Sequence, residues 1–355
     1  MANIVTSICV DSPLKSDQKG SHYPQLKNQD DIRAVYWRCV VTFCITARYF
    51  HPDQSVIVYT NDDEPLLLGN NYHVQEELLK TGVEIRLLDF ETFDPGEFSS
   101  SFRNAFFKLE VIKALGNLKQ PSILLDSDCI WTHRDSSIFE IISTNDKLLL
   151  KDTYQRSATP QLKEPHGLSM QDMKEVYEQF EIDGLFLKVD YPVWYGGEII
   201  GATAATLKEI ARRLELTFNY CYEQAQAGNL IKFNNGYAIF DGDELISSYV
   251  FNTLDPDVII DIYGLHARRL WTGIGYNNVQ PDDIHLPIWH LPAAKQDGLL
   301  ALFHELTNAS QSRFFEMDSG LDLFLGKYFG IPYGNYPLMK KPIRFIKKTV
   351  RRFLK

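Results

Sequence analysis

Over its first half the chain alternates short β-branched runs with amphipathic helical stretches, and this order limits the possible folds more than any other feature. "NIVTSICV" reads as a strand, Arg33 to Phe50 as a largely buried helix, "SVIVYT" as a strand, "VQEELLKTG" as a helix closed by Gly82, and "VEIRLL" as a third strand. This βαβαβ order predicts a parallel sheet with helices on its faces. "FRNAFFKLEVIKALG" then reads as a helix ended by Gly116, and "SILL" as a fully buried strand. With 355 residues, 45% of them hydrophobic, the chain is long enough for one large α/β core without staples.

The second half is punctuated differently. Thr153 to Ser169 is rich in Pro, Gly, Lys and His and reads as a loop. "DMKEVYEQF" follows as a helix, "GGEIIGA" as a strand, and Thr203 to Phe218 as a helix with Leu207, Ile210, Ala211 and Leu214 on one face. "ELISSYVFNTL" is a helix entered from the acidic turn "DGDE". "DVIIDI" is a strand, "HLPIWHLP" a short segment bounded by prolines, and "GLLALFHEL" a helix. There are no internal repeats, so residues 1–335 read as one unit, with 336–355 as a tail.

The tail breaks the charge balance. The net charge is −10, yet "KKPIRFIKKTVRRFLK" holds eight Lys or Arg and no acid, which leaves −18 on the preceding 339 residues. Ile343, Ile346, Val350, Phe353 and Leu354 form an apolar stripe, while Arg344, Lys347, Lys348, Arg351, Arg352 and Lys355 occupy the remainder. A basic amphipathic helix over 340–355 is the form expected of an anchor on an anionic membrane surface; a solubilising tail or a helix docked on the acidic body is the alternative. The acidic body argues against nucleic acid as a partner. Five scattered cysteines, none in a CxxC pair, suggest neither a disulfide framework nor a zinc knuckle and fit a reducing compartment. "MANIVTSICV" lacks the features of a secretory signal, and no window reaches the ~18 apolar residues of a membrane span. Together these predict a cytoplasmic protein held peripherally at the inner face of the membrane.

"SILLDSDCIW" carries the chemistry. Two carboxylates at i and i+2, Asp126 and Asp128, stand where a buried strand ends and the chain turns, so both can converge on one cation. Ligands of open α/β sheets bind at that edge, and hard cations such as Mg²⁺ or Mn²⁺ share oxygen ligands with substrate phosphates. Elsewhere, Gly196 and Gly197 permit close backbone approach, and Trp194 and Tyr195 offer a flat face on which a sugar can stack; a β-bulge with a core aromatic pair is the alternative. Asn61, Asp62 and Asp63 lie at another carboxyl edge, as ribose contacts or as a capped turn. Asp241, Asp243 and Glu244 form a second acidic cluster without a buried strand leading into it, which argues against a metal site there.

In order and content these segments resemble a GT-A fold nucleotide-sugar glycosyltransferase of family 8 and its bacterial relatives. The resemblance runs over residues 4–306 as a pattern and is densest from Arg103 to Trp131, a basic helix leading to a strand that ends in DxD. "VWYGGEIIGA" resembles the small-residue strand near the donor sugar, "DGDELISSYVFN" the acidic turn beside the acceptor, and "IWHLPAAK" the late His followed by Lys. The resemblance implies a Rossmann-like, mixed and mostly parallel sheet flanked by helices, with transfer of a sugar from a nucleoside diphosphate donor, UDP-sugar favoured, to a hydroxyl on a glycan or lipid-linked acceptor. Asp126, Asp128 and His290 would hold Mn²⁺ or Mg²⁺, although His285, His266 and His304 compete with His290. His290 and Lys295 also stand five apart, one fewer than in the family pattern, with no Gly between them.

The donor would contact Thr6, Ser7, Val10, Arg103, Lys108, Asp126, Ser127, Gly196, Gly197 and Lys295. The alternatives are a plain core strand for the first three and surface helix charges for Arg103 and Lys108. Trp194, Tyr195, Glu198 and Asp241 would meet the acceptor. Asp243 or Glu244 would serve as base if the enzyme inverts, with helix capping as their alternative role. A haloacid-dehalogenase-like phosphatase also uses a strand followed by DxD, but early in its domain and before Gly and Thr or Val, whereas Cys129 and Ile130 follow here. A catalytically inactive sugar-binding scaffold is the third reading.

Overall fold

In a computed structural model that describes residues 1–10, 29–99, 102–144, 147–153, 159–163, 167–272 and 278–308, the alternating runs become a three-layer α/β structure. The strands are β1 (Asn3–Ile8), β2 (Ser55–Thr60), β3 (Leu67–Leu68), β4 (Tyr72–His73), β5 (Val83–Leu87), β6 (Ser122–Asp126), β7 (Cys129–Trp131), β8 (Leu148–Asp152), β9 (Tyr195–Ala202), β10 (Ile259–Asp261), β11 (Ala267–Arg269) and β12 (Ile288–His290). The helices are α1 (Gln29–Phe50), α2 (Val74–Lys80), α3 (Phe107–Leu115), α4 (Ser136–Ile142), α5 (Met170–Tyr177), α6 (Ala204–Gln226), α7 (Asp243–Asn252) and α8 (Leu300–Thr307).

Seven strands form the central sheet in the order β10-β8-β9-β6-β1-β2-β5. All its pairings are parallel except those of β9, which runs against both β6 and β8. This is the mixed, mostly parallel sheet flanked by helices that the resemblance implies; the βαβαβ order alone predicts its parallel part. Both faces are apolar. Ile4, Val56, Val58, Ile123 and Leu125 pack toward α1 and α8, while Val5, Ile57, Leu124 and Ile200 pack toward α3, α6 and α7. That two-sided burial is why "SILL" and "SVIVYT" read as continuous apolar runs rather than alternating ones. Each buried Ile or Leu stabilises the fold by roughly 1.5–3 kcal/mol, which holds β6 in register and leaves Asp126 at its rim.

Two features depart from the sequence reading. The stretch expected as one helix from Phe102 begins as a 3₁₀ turn, Arg103–Phe106, before α3. Gly116 does end α3, but in a right-handed conformation (φ −60°), so its small size serves packing: a Cβ would lie 2.7 Å from the Lys208 Cα of α6. A second, three-stranded sheet, β11-β12-β7, lies on the α1 side of the core. All five cysteines are buried free thiols. No helix among the described residues is long and apolar enough to cross a membrane. The basic tail, 336–355, lies outside the described residues.

Candidate active site

Strand direction explains why residues far apart in sequence meet at one edge. β1 and β6 are parallel, with Ser7 paired to Asp126, so both strands end at the same rim. β9 runs the other way, so its first residues, Tyr195 to Glu198, arrive at that rim as well. Its ladder with β8 is irregular: Leu149 pairs with Gly201 but Lys151 with Gly196. Such an irregularity re-aims side chains, and here it brings Glu198 beside Lys151. After the turn at Ser127 and Asp128, β7 pairs antiparallel with β12 and sets His290 opposite Cys129. The Leu291 N–H donates to the Asp128 carbonyl (3.0 Å), fixing the late segment onto the DxD turn.

Asp126, Asp128 and His290 therefore converge, with one ligand atom from each lying within 4.8 Å of the others. Among the described residues they are the only such group of three or more His, Cys, Asp or Glu. His290 Nε2 is 3.3 Å from Asp128 Oδ2 and 4.0 Å from Asp126 Oδ2. Two carboxylates and an imidazole in a partly buried recess fit a divalent cation of the Mn²⁺ or Mg²⁺ type by donor chemistry and by spacing. Two lysines flank them. Lys108 Nζ is 2.7 Å from Asp126 Oδ1 and donates to the Gly197 carbonyl (2.7 Å), and Lys295 Nζ lies 3.5 Å from Asp128 Oδ1. The short interval from His290 to Lys295 is taken up by a tight turn in which the Ala294 and Lys295 N–H groups both donate to the Leu291 carbonyl.

The charges hold one another ionised. Burial alone would raise the Asp128 carboxyl, but Lys295 and then His290 hold it well below the usual range. Burial would likewise lower Lys108, yet Asp126 and Asp243 push it above the ordinary lysine value, and Asp128 and Asp126 do the same for Lys295. His290 is raised despite its burial, chiefly by Asp128. The lysines and carboxylates open onto a cleft of about 670 Å³ including its mouth, whose lining includes Ser7, Asn104, Phe107, Lys108, Asp126 and Asp243.

No family model and no curated protein matches this chain. Among solved structures it is similar to the galactosyltransferase LgtC in complex with donor and acceptor sugar analogues, at 12% identity over 89% of this chain and 100% of that one, TM-score 0.47. It is similar also to the bifunctional glycosyltransferase WbbM, at 10% identity over 89% of this chain and 51% of that one, TM-score 0.46. An active-site mutant of LgtC matches at 13% identity over 81% of this chain and 86% of that one, TM-score 0.41. Chemistry resides in side chains rather than in a fold, so the cleft itself has to carry the function.

The remaining residues singled out in the sequence fall into two groups. Ser7, Ser127 and Lys295 line the cleft with Lys108, and Gly197 packs so closely against Lys108 and Asp243 that a Cβ would lie 2.9 Å from Lys108 Nζ and 3.1 Å from Asp243 Oδ2. Asp243 and Glu244 open α7 beside them, with different fates. Both Glu244 oxygens are engaged, accepting from Gly197 N (3.0 Å), Trp194 Nε1 (2.8 Å) and Arg269 (3.3 Å). Asp243 is buried, its Oδ2 accepts no hydrogen bond and lies 3.7 Å from Lys108, and burial pushes its carboxyl up to about 6.

The others lie away from the cleft lining. Thr6 is fully buried and donates to the Leu125 carbonyl, the core-strand alternative. Val10 is tied through its backbone to Asn61, while Asp62 pairs with Arg33 and Trp37. Arg103 pairs with Asp94 rather than facing Asp126. Trp194 and Tyr195 are buried in the core instead of presenting a sugar-stacking face, as in the bulge alternative. Asp241 accepts from the Ala238 N–H. Glu198 is corrected most clearly: expected to meet an acceptor, it has no exposed surface and is clamped by Arg269 and Lys151. Burial opposes its ionisation, but those cations hold its carboxyl well below the usual range.

Arg269, Lys151 and Asn104 were missed in the sequence. Asn104 lines the cleft and donates to the Cys9 carbonyl (3.3 Å). A signal existed for Lys151, an apolar run "LLL" ending in Lys and Asp, but the strand itself went unread.

Proposed function

We propose that the chain transfers a sugar from a nucleoside diphosphate donor, a UDP-sugar in the first instance, to a hydroxyl acceptor with the help of Mn²⁺ or Mg²⁺. The observation that carries this reading is the convergence of Asp126, Asp128 and His290 with Lys108 and Lys295 at the rim where β1, β6 and β9 meet. Two acids and an imidazole suit the cation, and two lysines suit the oxygens of a diphosphate. When bound, the cation neutralises charge on the departing nucleoside diphosphate. Lys295 and Lys108 add fixed positive charge in a recess where they need no reorganisation as the leaving group departs. Gly197 lets the backbone lie against Lys108 and Asp243, where any side chain would collide with both.

Of the two acids that open α7, Asp243 has an unengaged oxygen, so Asp243 rather than Glu244 accepts the hydrogen bond of the attacking hydroxyl. Glu244 fixes Gly197 and Trp194 in place.

A thermal-shift panel tests the donor class. UDP with Mn²⁺ should raise the melting temperature by several degrees and UDP alone by much less, since ligand at a hundred times its Kd adds about 2.7 kcal/mol. No shift with any nucleoside diphosphate, or release of phosphate from aryl phosphates, would remove the reading in favour of a scaffold or a phosphatase.

The basic segment 340–355 supports a membrane-borne acceptor such as a lipid-linked glycan, with the enzyme bound to the cytoplasmic face. Each basic residue near an anionic surface contributes about 1 kcal/mol. Deleting 340–355 should then lower binding to vesicles containing phosphatidylserine while sparing transfer to a soluble acceptor analogue. Vesicle binding that survives the deletion would count against it.

A further inference from the structure

We propose that Glu198 is a positioning residue: its buried carboxylate holds the His290 imidazole so that Nε2 faces Asp126 and Asp128. The inference rests on the metal site proposed above. The two ring nitrogens of His290 look at different carboxylates, with Nε2 3.3 Å from Asp128 Oδ2 and Nδ1 3.4 Å from Glu198 Oε1. Nitrogen that ligates a metal does so through its lone pair, so the ring proton must sit on the other nitrogen and point at an acceptor. Nδ1 is buried and makes no hydrogen bond at its 3.4 Å separation from Glu198 Oε1, the carboxylate oxygen placed to accept from it.

Three observations show that the carboxylate is held for this purpose rather than merely tolerated. Glu198 is wholly buried in a strand that continues "IIGA", where an apolar side chain would serve stability at least as well as an ion pair. Its direction is locked. Arg269 grips it through two nitrogens, at 3.1 and 2.8 Å, and Lys151 approaches to 2.7 Å. Arg269 is the register partner of His290 on the adjoining strand, so one pair of strands carries both the clamp and the clamped ring. Gly196, finally, leaves the space the carboxylate occupies: a Cβ there would lie 2.0 Å from Glu198 Oε2. Through Arg269 the same cluster reaches Glu244 at 3.3 Å, which ties the His290 ring to the start of α7.

The test uses full-length protein labelled with ¹⁵N-histidine, read by the imidazole nitrogen shifts without metal at alkaline pH, where the ring is neutral, and Mn²⁺ affinity by electron paramagnetic resonance without donor. Glu198→Asp keeps the charge that Arg269 and Lys151 need but withdraws it from His290. A double variant, Glu198→Leu with Lys151→Met, removes one acid and one base together, so one of the two can report even if the other fails to fold. Both should lose the Nδ1–H tautomer at His290 and weaken Mn²⁺ binding by about 10–100-fold. Lys151→Met alone disturbs the same cluster but leaves Glu198 and Arg269 in place, and should keep the tautomer. A folded Glu198 variant with the wild-type tautomer overturns the proposal, as does loss of the tautomer in Lys151→Met. If the unaltered protein binds no Mn²⁺, the metal reading fails, while the tautomer shifts still decide the role of Glu198.

Discussion

Asp128→Ala is expected to lower sugar transfer by about 10³-fold while leaving a folded protein. Asp128 is the more deeply buried of the two DxD acids, and it faces His290 on one side and Lys295 on the other. Removing it takes away a ligand and the charge that keeps both partners oriented. The fold should lose about 3 kcal/mol, the usual cost of breaking a buried pair, which a domain with apolar cores on both sheet faces can absorb. In the unaltered protein the depressed Asp128 carboxyl contributes fully above its ordinary value of 3.8, and that contribution is lost only as pH falls below 3.8 toward the folded pKa. The measurement is initial rate at saturating donor together with Mn²⁺ affinity and the far-ultraviolet spectrum. Turnover unchanged in a folded Asp128→Ala protein would sink the metal assignment.

Asp243→Asn should abolish at least about 10²-fold of the rate and yet raise stability at pH 7. The two effects share one cause. Burial lifts the Asp243 carboxyl to about 6, and the negative charges of Glu244 and Asp126 add to the lift while Lys108 opposes it. Between its ordinary value of 3.8 and about 6 the folded chain holds the proton more tightly than the unfolded chain does, so this group's contribution to stability falls as pH rises through that window. An amide cannot ionise, so the substitution removes a penalty of up to about 3 kcal/mol at pH 7. Under the proposed function it also removes the oxygen that would accept a hydrogen bond from the attacking hydroxyl. The unaltered enzyme should therefore lose kcat/KM as pH falls below about 6, with the limb displaced downward when a divalent cation is bound nearby. Melting temperature and a pH–rate profile check both halves. A variant that is less stable at pH 7 and fully active would contradict both.

The strands and helices that carry a strong period were legible, and so was the DxD rim. β1, α1, β2, α2, β5 and β6 follow from runs whose apolar spacing leaves little choice, and Asp126 is where the buried run stops. Reversal of β9 was not legible, since "GGEIIGA" has the same composition in either direction. That reversal is what brings Gly197 and Glu198 to the site. Residues fixed by long-range charge were the hardest. Lys108, divided between surface and site on helical spacing alone, turns inward because Asp126, Asp243 and the Gly197 carbonyl all accept from or attract it. The sequence places Glu198 at the acceptor because its partners, Lys151 and Arg269, lie on short strands that the sequence pattern does not reveal. Trp194 and Tyr195 have the flat faces a sugar needs, but flatness suits a core equally well.

The bond from Leu291 to the Asp128 carbonyl joins segments more than 160 residues apart. Closing so long a loop is entropically expensive and must wait for the intervening strands and helices to organise. During synthesis, then, the DxD turn emerges with the early half of the sheet, but His290 and Lys295 arrive only with β12 and the turn after it. A nascent or truncated chain ending before β12 would own the two acids without His290, and so lack the full set proposed to hold the cation. Competence for chemistry is in this way timed to the completion of the fold.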